Sequence, residues 1–321
     1  MDNLERTLRN IQEAINFETL LACTRRSQSF VEPLFDRIGE VVPLKDPMTL
    51  HPNTYSEAIG IDTREMLDTH SFVKSRFFRL DHTDFVIKRG DRFYPQHAAD
   101  VQDSPRFLYG RGNVELLGEK CVCIVGTRNP SNEGKEYAKK TVETLGSHGV
   151  VIVSGLALGI DGIAHISALA TKTPTVAVLG TPLIDVYPPE HRNLQKVIAE
   201  HGLVITRFSP AVQTQKWHFL LRNRLMSSLA VGSVVVEDRD GGGAVKQAIY
   251  ALEQQRRVVI FQHVLDNRSL LWPRRLSLKP GVMVVKQPEY IHARLFARPR
   301  AGGEDPSKVA APTQLSLFDL A

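Results

Sequence analysis

Three short apolar runs in the middle of the chain each end in a glycine, and an arginine able to hold a phosphate follows the first. The glycines are Gly126, Gly155 and Gly180. A glycine at the end of a strand leaves backbone N–H groups open to an anion, because no side chain blocks the approach. Arg128 adds a planar guanidinium that pairs well with phosphate. The pattern predicts a phosphate-binding crevice.

The same runs predict the elements that would position this crevice. Residues 121–126, 150–155 and 175–180 are apolar at odd and even positions alike, which is typical of strands covered on both faces. Helix-length segments lie between them, at about 133–147 and 161–171. This alternation predicts an α/β fold with an extended Rossmann-like parallel sheet and helices on both faces.

Two alternatives bear on the crevice. Each glycine could simply make a tight turn, but three in register beside an arginine favour an anion site. A nicotinamide dehydrogenase is disfavoured, because the G-x-G-x-x-G fingerprint is absent after the first strand. The second strand also ends in Ser154 and Gly155 rather than in an acid that would hold a ribose. Asp161 is predicted to cap the helix that follows.

A basic and aromatic segment follows the predicted fourth strand. Residues 209–224 contain Lys216, Arg222 and Arg224, and no acidic residue. Interleaved cations and rings such as Trp217 suit single-stranded nucleic acid, because cations follow phosphates and rings stack on bases. The rings could instead anchor the loop in the core. Because the two arginines are two apart on a helix, we expect one to meet phosphate and the other to make a structural pair.

A second glycine loop follows the apolar run that ends in Glu237 and Asp238. Gly242 and Gly243 precede a helix-length segment, and their backbone could form an anion-binding nest.

Five motifs occur in order, and together they resemble the DNA-processing protein A family (DprA, or Smf). They are IVGTR, VSGLALGIDGIAH, AVLGTPLIDVYPPEHRNL, FLLRNRLMSSLAVGSVVVE and GGGAVKQAIYALEQQRRV, and the resemblance covers roughly residues 94–290. It implies a domain that binds single-stranded DNA, forms homodimers and helps load the RecA recombinase, without catalysis. The chain departs from the family in having Leu220 in place of a proline and Gly242 to Ala244 in place of serine–glycine–serine.

The pattern and the resemblance together predict the DNA- or phosphate-binding residues. These are Gly126, Thr127, Arg128, Ser154, Gly155, Gly159, Asp161, Gly180, Lys216, Arg222, Asn223, Arg224, Gly242 and Gly243.

Composition narrows the class of protein. The 321 residues carry a net charge of +5, which favours a polyanionic partner. The three cysteines, Cys23, Cys121 and Cys123, indicate a reducing compartment rather than a disulfide framework. A metal site would need a second cluster of ligands, which the sequence lacks. The first ten residues lack the apolar core of a secretory signal, and no apolar run reaches membrane-spanning length. We therefore expect a cytoplasmic protein with no membrane contact, metal or cofactor.

The chain divides into four predicted segments. Residues 1–80 form a helical N-terminal domain, with a structural or dimer-forming role. Residues 81–296 form the Rossmann-like domain, opening with a β-hairpin within 81–92. Residues 297–313 are rich in Gly, Pro and Ala and predict a flexible linker. Residues 314–321 form a docking peptide.

The docking peptide carries a recognisable short motif: Gln314, Leu315, Ser316, Leu317 and Phe318. It resembles the pentapeptide by which bacterial replication and repair proteins bind the sliding clamp, the β subunit of the DNA polymerase. The alternative is a tail that packs back on its own domain.

The leading hypothesis is a single-stranded DNA-binding protein that is not an enzyme. It would load RecA in recombination, repair or DNA uptake, and the clamp would tether it. One alternative is a nucleotide-binding or nucleotide-hydrolysing protein that uses Glu237 or Asp161 in the same crevice. Another is a clamp-bound adaptor without DNA binding.

Overall fold

A computed structural model describes residues 2–297, with side chains from residue 10 onward. It divides into two compact units. Of the described residues, the N-terminal unit contains 2–111 with 181–185 and 205–214, and the Rossmann unit contains 112–180, 186–204 and 215–297. The sequence predicted a boundary after residue 80. The first unit continues to residue 111 because a strand pair after residue 80 packs on its first helix.

The N-terminal unit is mainly helical, as predicted. Its helices are α1 (Asp2–Thr24), α2 (Gln28–Gly39), α3 (Pro52–Ile59), α4 (Thr63–Phe77) and the short α5 (Gln96–Ala99). The Asp62 carboxylate caps α4 by accepting hydrogen bonds from the amides of Arg64 and Glu65. Phe17 and Phe35 meet edge to face in the core between α1 and α2.

The strand pair of this unit corrects one prediction. Strand β1 (Asp84–Lys88) runs antiparallel to β2 (Phe107–Gly112), with Val86 opposite Tyr109. The hairpin predicted within 81–92 is therefore wrong. The Asp91 carboxylate accepts hydrogen bonds from the Lys88 amide and the Asn10 side chain, so the chain turns there without forming a second strand.

The Rossmann unit contains a parallel sheet. Its strands are β3 (Cys121–Val125), β4 (Val151–Ser154), β5 (Thr175–Leu179), β6 (Leu203–Thr206, of which residues 203–204 are assigned to this unit), β7 (Gly232–Val235), β8 (Arg257–Phe261) and β9 (Val282–Val285). Six of them pair in parallel in the order β5-β4-β3-β7-β8-β9. The chain leaves β3 toward β4 and β5 and later returns to β7 on the other side. The strand order thus reverses between β3 and β7, at the topological switch point.

Helices connect these strands, and one more helix follows the last strand. They are α6 (Asn132–Gly146), α7 (Ile160–Ala170), α8 (Arg192–His201), α9 (His218–Leu229), α10 (Gly243–Glu253), α11 (Gln262–Asp266), α12 (Trp272–Ser277) and α13 (Ile291–Phe296). Every residue of β3, β4 and β5 is buried, which explains why their sequences are apolar at odd and even positions. The predicted α/β class with a parallel sheet is confirmed.

The cysteines of β3 belong to the core. Cys121 and Cys123 are buried, and burial raises the pKa of the Cys121 thiol to about 12. Within residues 2–297 no three His, Cys, Asp or Glu side chains are arranged to hold a metal ion. In the same range, no helix combines the length and the apolar character needed to cross a membrane.

One buried acid lies in the core of the N-terminal unit. Glu18 of α1 accepts hydrogen bonds from the Tyr109 hydroxyl at 3.2 Å and the Ser209 hydroxyl at 2.9 Å. Burial raises the pKa of this carboxyl from 4.5 to about 7, although both hydrogen bonds oppose the change. Ionising Glu18 therefore costs folding free energy.

Replacing Glu18 with Gln should stabilise the protein in a pH-dependent way. Because the folded pKa lies above the unfolded one, the wild type loses stability as pH rises from 4.5 toward 7. We expect the stability difference between Glu18→Gln and wild type to grow by roughly 2 to 3 kcal/mol between pH 4.5 and pH 8. Urea unfolding at both pH values measures it, with Glu57→Gln on the exposed side of α3 as control. An equal difference at the two pH values would contradict this interpretation.

Candidate functional site

Loops after β3 and β4 meet at the carboxyl edge of the sheet and enclose a cavity of about 190 Å³. Its lining includes Arg128, Gly155, Leu158, Tyr187, Phe219 and Arg222. The structure thus brings together Arg128, Gly155 and Arg222, three of the predicted site residues. Sequence reasoning did not assign Leu158 and Tyr187 to the site. The Tyr187-Pro188-Pro189 sequence was the available signal for the second of these.

The glycines at the strand ends are needed for a different reason from the one predicted. A Cβ on Gly155 would overlap the Arg222 guanidinium, and a Cβ on Gly180 would lie 2.6 Å from the Phe219 ring. Side chains of α9, rather than a bound anion, therefore occupy the space beside these glycines. The glycines let α9 approach the ends of β4 and β5 closely.

Arg222 holds this edge of the sheet together. It is 6% exposed and donates hydrogen bonds to two backbone carbonyls. One belongs to Gly155, directly after β4, and the other to Val178 of β5. Asp161 lies beside it and is 4% exposed. Burial raises the pKa of Asp161, and the Arg222 charge opposes that effect. A buried charge pair thus joins α7 and α9 to two strand ends.

Asp161 does not cap α7, which corrects the prediction. Gly159 occupies the N-cap position with φ +78°, and Asp161 is the second residue of the helix. Its carboxylate turns inward, toward Arg222 and the Ala157 amide at 3.4 Å. The buried guanidinium needs this negative charge.

Two further predicted residues are used within the fold. The Ser154 hydroxyl is buried and donates to the Ile124 carbonyl at 2.7 Å, which joins β4 to β3. The Thr127 amide donates to the Glu237 carbonyl at 2.7 Å. Neither group faces an open anion site.

Arg128, in contrast, is exposed. Among the described residues, no carboxylate lies within ion-pair distance of its guanidinium. Its side chain borders the cavity and also a shallow depression of about 460 Å³, which Lys135, Ile163 and Ile166 line as well. Arg128 is therefore an exposed cation that this edge of the sheet offers to a ligand, with Lys135 beside it.

Aromatic residues line the cavity or precede α9, whose second residue lines it. Trp217 is 56% exposed and follows the exposed Lys216, and Tyr187 is 45% exposed. Phe219 contacts the Tyr187 ring at 5.2 Å between centroids and lines the cavity. It serves as an anchor and as part of the cavity wall.

Both arginines of α9 have partners within the fold. Arg224 lies 3.9 Å from the Glu253 carboxylate and over the Tyr250 ring, so it makes the structural pair that one of the two arginines was expected to make. Asn223 accepts a hydrogen bond from Arg222 and donates one to the Gly243 carbonyl. Of the three residues, Arg222 borders the cavity.

The predicted nest at Gly242 and Gly243 already holds an anion from the chain itself. The Asp238 carboxylate accepts hydrogen bonds from the amides of Ala244 at 2.8 Å and Val245 at 3.0 Å, in the first turn of α10. It fills the space beside Gly242. The prediction that these glycines hold a phosphate is corrected accordingly.

Glu237 lies at the start of α6 and binds its N-cap residue, Ser131. Its carboxylate accepts hydrogen bonds from the Ser131 amide at 2.9 Å and hydroxyl at 2.5 Å, and Ser131 caps α6 through the Gly134 amide. Asp240 accepts from the Trp272 amide at 2.7 Å, at the start of α12. Three acids at the end of β7 therefore serve three helices. Sequence reasoning missed this, although the acidic run Glu-Asp-Arg-Asp was visible.

The motif of Gln314 to Phe318 lies outside the described residues, as does the linker from residue 298. Its role stays a prediction.

Comparison with known proteins gives a consistent picture. The model of a family described as DNA recombination-mediator protein A matches residues 85–292. The DNA processing protein DprA of Bacillus subtilis is 37% identical over 174 residues, which are 54% of this chain and 59% of that protein. The chain thus spans less than two thirds of this relative's length.

Two solved structures are similar to this one. DNA processing protein A from Streptococcus pneumoniae has a TM-score of 0.70 at 26% identity, with 87% of this chain and 97% of that chain covered. The protein from Helicobacter pylori, described for its single-stranded DNA binding mode, has a TM-score of 0.59 at 26% identity, with 66% and 95% covered.

The buried and the half-exposed arginine of α9 should differ in their effect on stability. Arg222→Ala leaves Asp161 buried without its cation, so we expect a loss of about 3 kcal/mol in the free energy of unfolding. Arg224→Ala is the matched control, and its pair with Glu253 should be worth less than about 1 kcal/mol. Urea unfolding of both variants measures the difference. Equal losses would show that the Arg222–Asp161 pair does not organise this edge.

Proposed function

Because this chain belongs to the DNA recombination-mediator protein A family, we propose that it binds single-stranded DNA across the carboxyl ends of β3, β4 and β5. The observation that carries the proposal is Arg128, an exposed cation without a carboxylate partner among the described residues, at the mouth of the cavity. The Helicobacter pylori relative is described as binding single-stranded DNA, which supports this choice of ligand.

The chemistry around Arg128 suits a single strand. Arg128, Lys135 and Lys216 would neutralise successive phosphates, while the exposed faces of Tyr187 and Trp217 would stack on bases. Stacking tolerates every base, because each has a π face. Binding should therefore depend strongly on salt and weakly on sequence.

We infer that the site binds DNA without catalysing a reaction. The carboxylates considered for nucleotide hydrolysis both have partners inside the fold. Glu237 accepts two hydrogen bonds from Ser131, and Asp161 lies against Arg222. A nucleotide at the switch point would also need helix amides that the Ser131 hydroxyl and the Asp238 carboxylate already occupy. This arrangement favours the DNA-binding proposal over the nucleotide-binding alternative.

The partners follow from the family and from the C-terminal motif. We propose that the protein forms a homodimer and loads RecA on single-stranded DNA during recombination, repair or DNA uptake, in the cytoplasm. Residues 314–318, QLSLF, would bind the polymerase sliding clamp. Leu317 and Phe318 would fill an apolar pocket of the clamp, and Gln314 would make polar contacts at its edge.

Replacing Arg128 with Ala should weaken binding of a labelled oligo-dT. We expect about a tenfold loss at moderate salt, and the slope of log K against log salt should fall by about one, because one phosphate contact is lost. Fluorescence anisotropy across a salt series measures both quantities.

The matched control is Lys196→Ala, which removes a cation whose side chain is 78% exposed on α8 and which borders neither the cavity nor the depression. It should leave affinity and slope nearly unchanged. If both variants lose the same affinity, DNA senses only the overall charge, and the assignment of Arg128 is wrong.

Removing residues 314–321 should abolish binding to the sliding clamp and leave oligo-dT affinity intact. Leu317→Ala with Phe318→Ala is the finer variant, since it keeps the chain length and removes the two apolar anchors. Pulldown with purified clamp and anisotropy with oligo-dT measure the two activities separately. Undiminished clamp binding by either variant would exclude this motif as the anchor.

A further inference from the structure

The geometry points to His191 as a positioning residue for the cavity, through a hydrogen bond to the loop that connects β4 to α7. This inference rests on the proposed binding of single-stranded DNA, because the loop forms one wall of that site. His191 ends the short 3-10 helix Pro189–His191 and precedes α8. It would act on DNA through the loop, without touching the strand itself.

The hydrogen bond to Leu156 requires a proton on one particular nitrogen of the His191 ring. His191 Nδ1 lies 2.9 Å from the Leu156 carbonyl oxygen. A carbonyl only accepts hydrogen bonds, so Nδ1 must carry the proton. Among the described residues, His191 is the one hydrogen-bond donor to this carbonyl.

The loop needs such support because its backbone is unusual. Leu156 has φ +58°, in the left-handed region that non-glycine residues rarely occupy. Its side chain is fully buried, so the residue cannot relax by turning outward. Gly155, Ala157 and Leu158 on either side of it line the cavity. A change at the Leu156 carbonyl would therefore move the cavity wall.

The ring is itself held in place by α7. A Cβ on Gly162 would lie 2.7 Å from His191 Cε1 and 3.0 Å from Nε2, closer than side chains pack. The imidazole thus occupies a space that only glycine leaves open. His191 is fixed on one side by the first turn of α7 and holds the loop on the other.

A second role for His191 must be separated from this one. The residue also lines the shallow depression beside Arg128 and Lys135, where Nε2 could contact a phosphate directly. Asparagine and glutamine distinguish the two roles. The Asn amide nitrogen lies near the position of Nδ1, and the longer Gln places its amide near Nε2.

Oligo-dT anisotropy over a salt series with His191→Ala, His191→Asn and His191→Gln tests the inference. We expect His191→Asn to bind within about twofold of wild type. The Ala and Gln variants should bind about three- to tenfold more weakly, as for the loss of one hydrogen bond, with the salt slope unchanged. Hydrogen–deuterium exchange of the free protein should show faster exchange in residues 155–159 for Ala and Gln only.

Gly162→Ala provides an independent variant, since it keeps the imidazole in the chain and displaces it. It should weaken oligo-dT binding as His191→Ala does, and the double variant should bind no more weakly than either single variant. It also carries the test if His191→Ala does not fold.

Several results would overturn the inference. Full affinity in His191→Ala would do so, as would failure of Asn to restore binding. If His191→Ala lowers the salt slope by about one while His191→Gln keeps wild-type affinity, His191 contacts a phosphate directly through Nε2. A wild-type protein that does not bind oligo-dT would refute the proposed function as well. Unchanged exchange in residues 155–159 of His191→Ala would refute the positioning role alone.

Discussion

The buried pair of Arg222 and Asp161 is the interaction on which the carboxyl edge of the sheet depends. One guanidinium bonds the carbonyls of Gly155 and Val178, beside the carboxylate of α7. A charge this deeply buried is tolerated only when its partners are in place, so it fixes the relative positions of two strand ends and two helices. The cavity exists because the backbone around it cannot rearrange without exposing or unpairing that charge.

The acids after β7 decide where on this edge a ligand can bind. In doubly wound sheets, anions usually bind at helix N-termini beside the switch point. Here Glu237 and Asp238 occupy the starts of α6 and α10 on either side of that point. The exposed cation Arg128 instead faces the ends of β3 and β4, and the exposed Tyr187 borders the same cavity. The proposed anion site therefore lies beside the switch point, at the ends of β3 and β4, and not at the helix N-termini.

The sequence predicted the sheet well because burial on both faces leaves a local signature. Each residue of β3 and β5 is buried, so these runs are almost entirely apolar and can be recognised as strands without knowing their neighbours. Arg128 was likewise identifiable from its place after a strand. The roles of Gly155 and Gly242 could not be identified from the sequence. A glycine that makes room for a guanidinium or a carboxylate has the same sequence pattern as one that makes room for a phosphate. The partners that decide between these, Arg222 and Asp238, lie far along the chain or across a turn. The partner of β1 was mispredicted for the same reason, because β2 lies beyond residues 89–106 in the sequence.

Photocrosslinking most directly tests whether a single strand crosses the ends of β3, β4 and β5. Oligo-dT with iododeoxyuridine at successive positions, irradiated with the full-length protein and mapped by mass spectrometry, reports which rings contact bases. We expect crosslinks at Tyr187, which lines the cavity beside Arg128, and at Trp217, which directly precedes α9 and is exposed. Crosslinks confined to residues 238–246, at the start of α10, would place the strand at the switch point and contradict the assignment of the site.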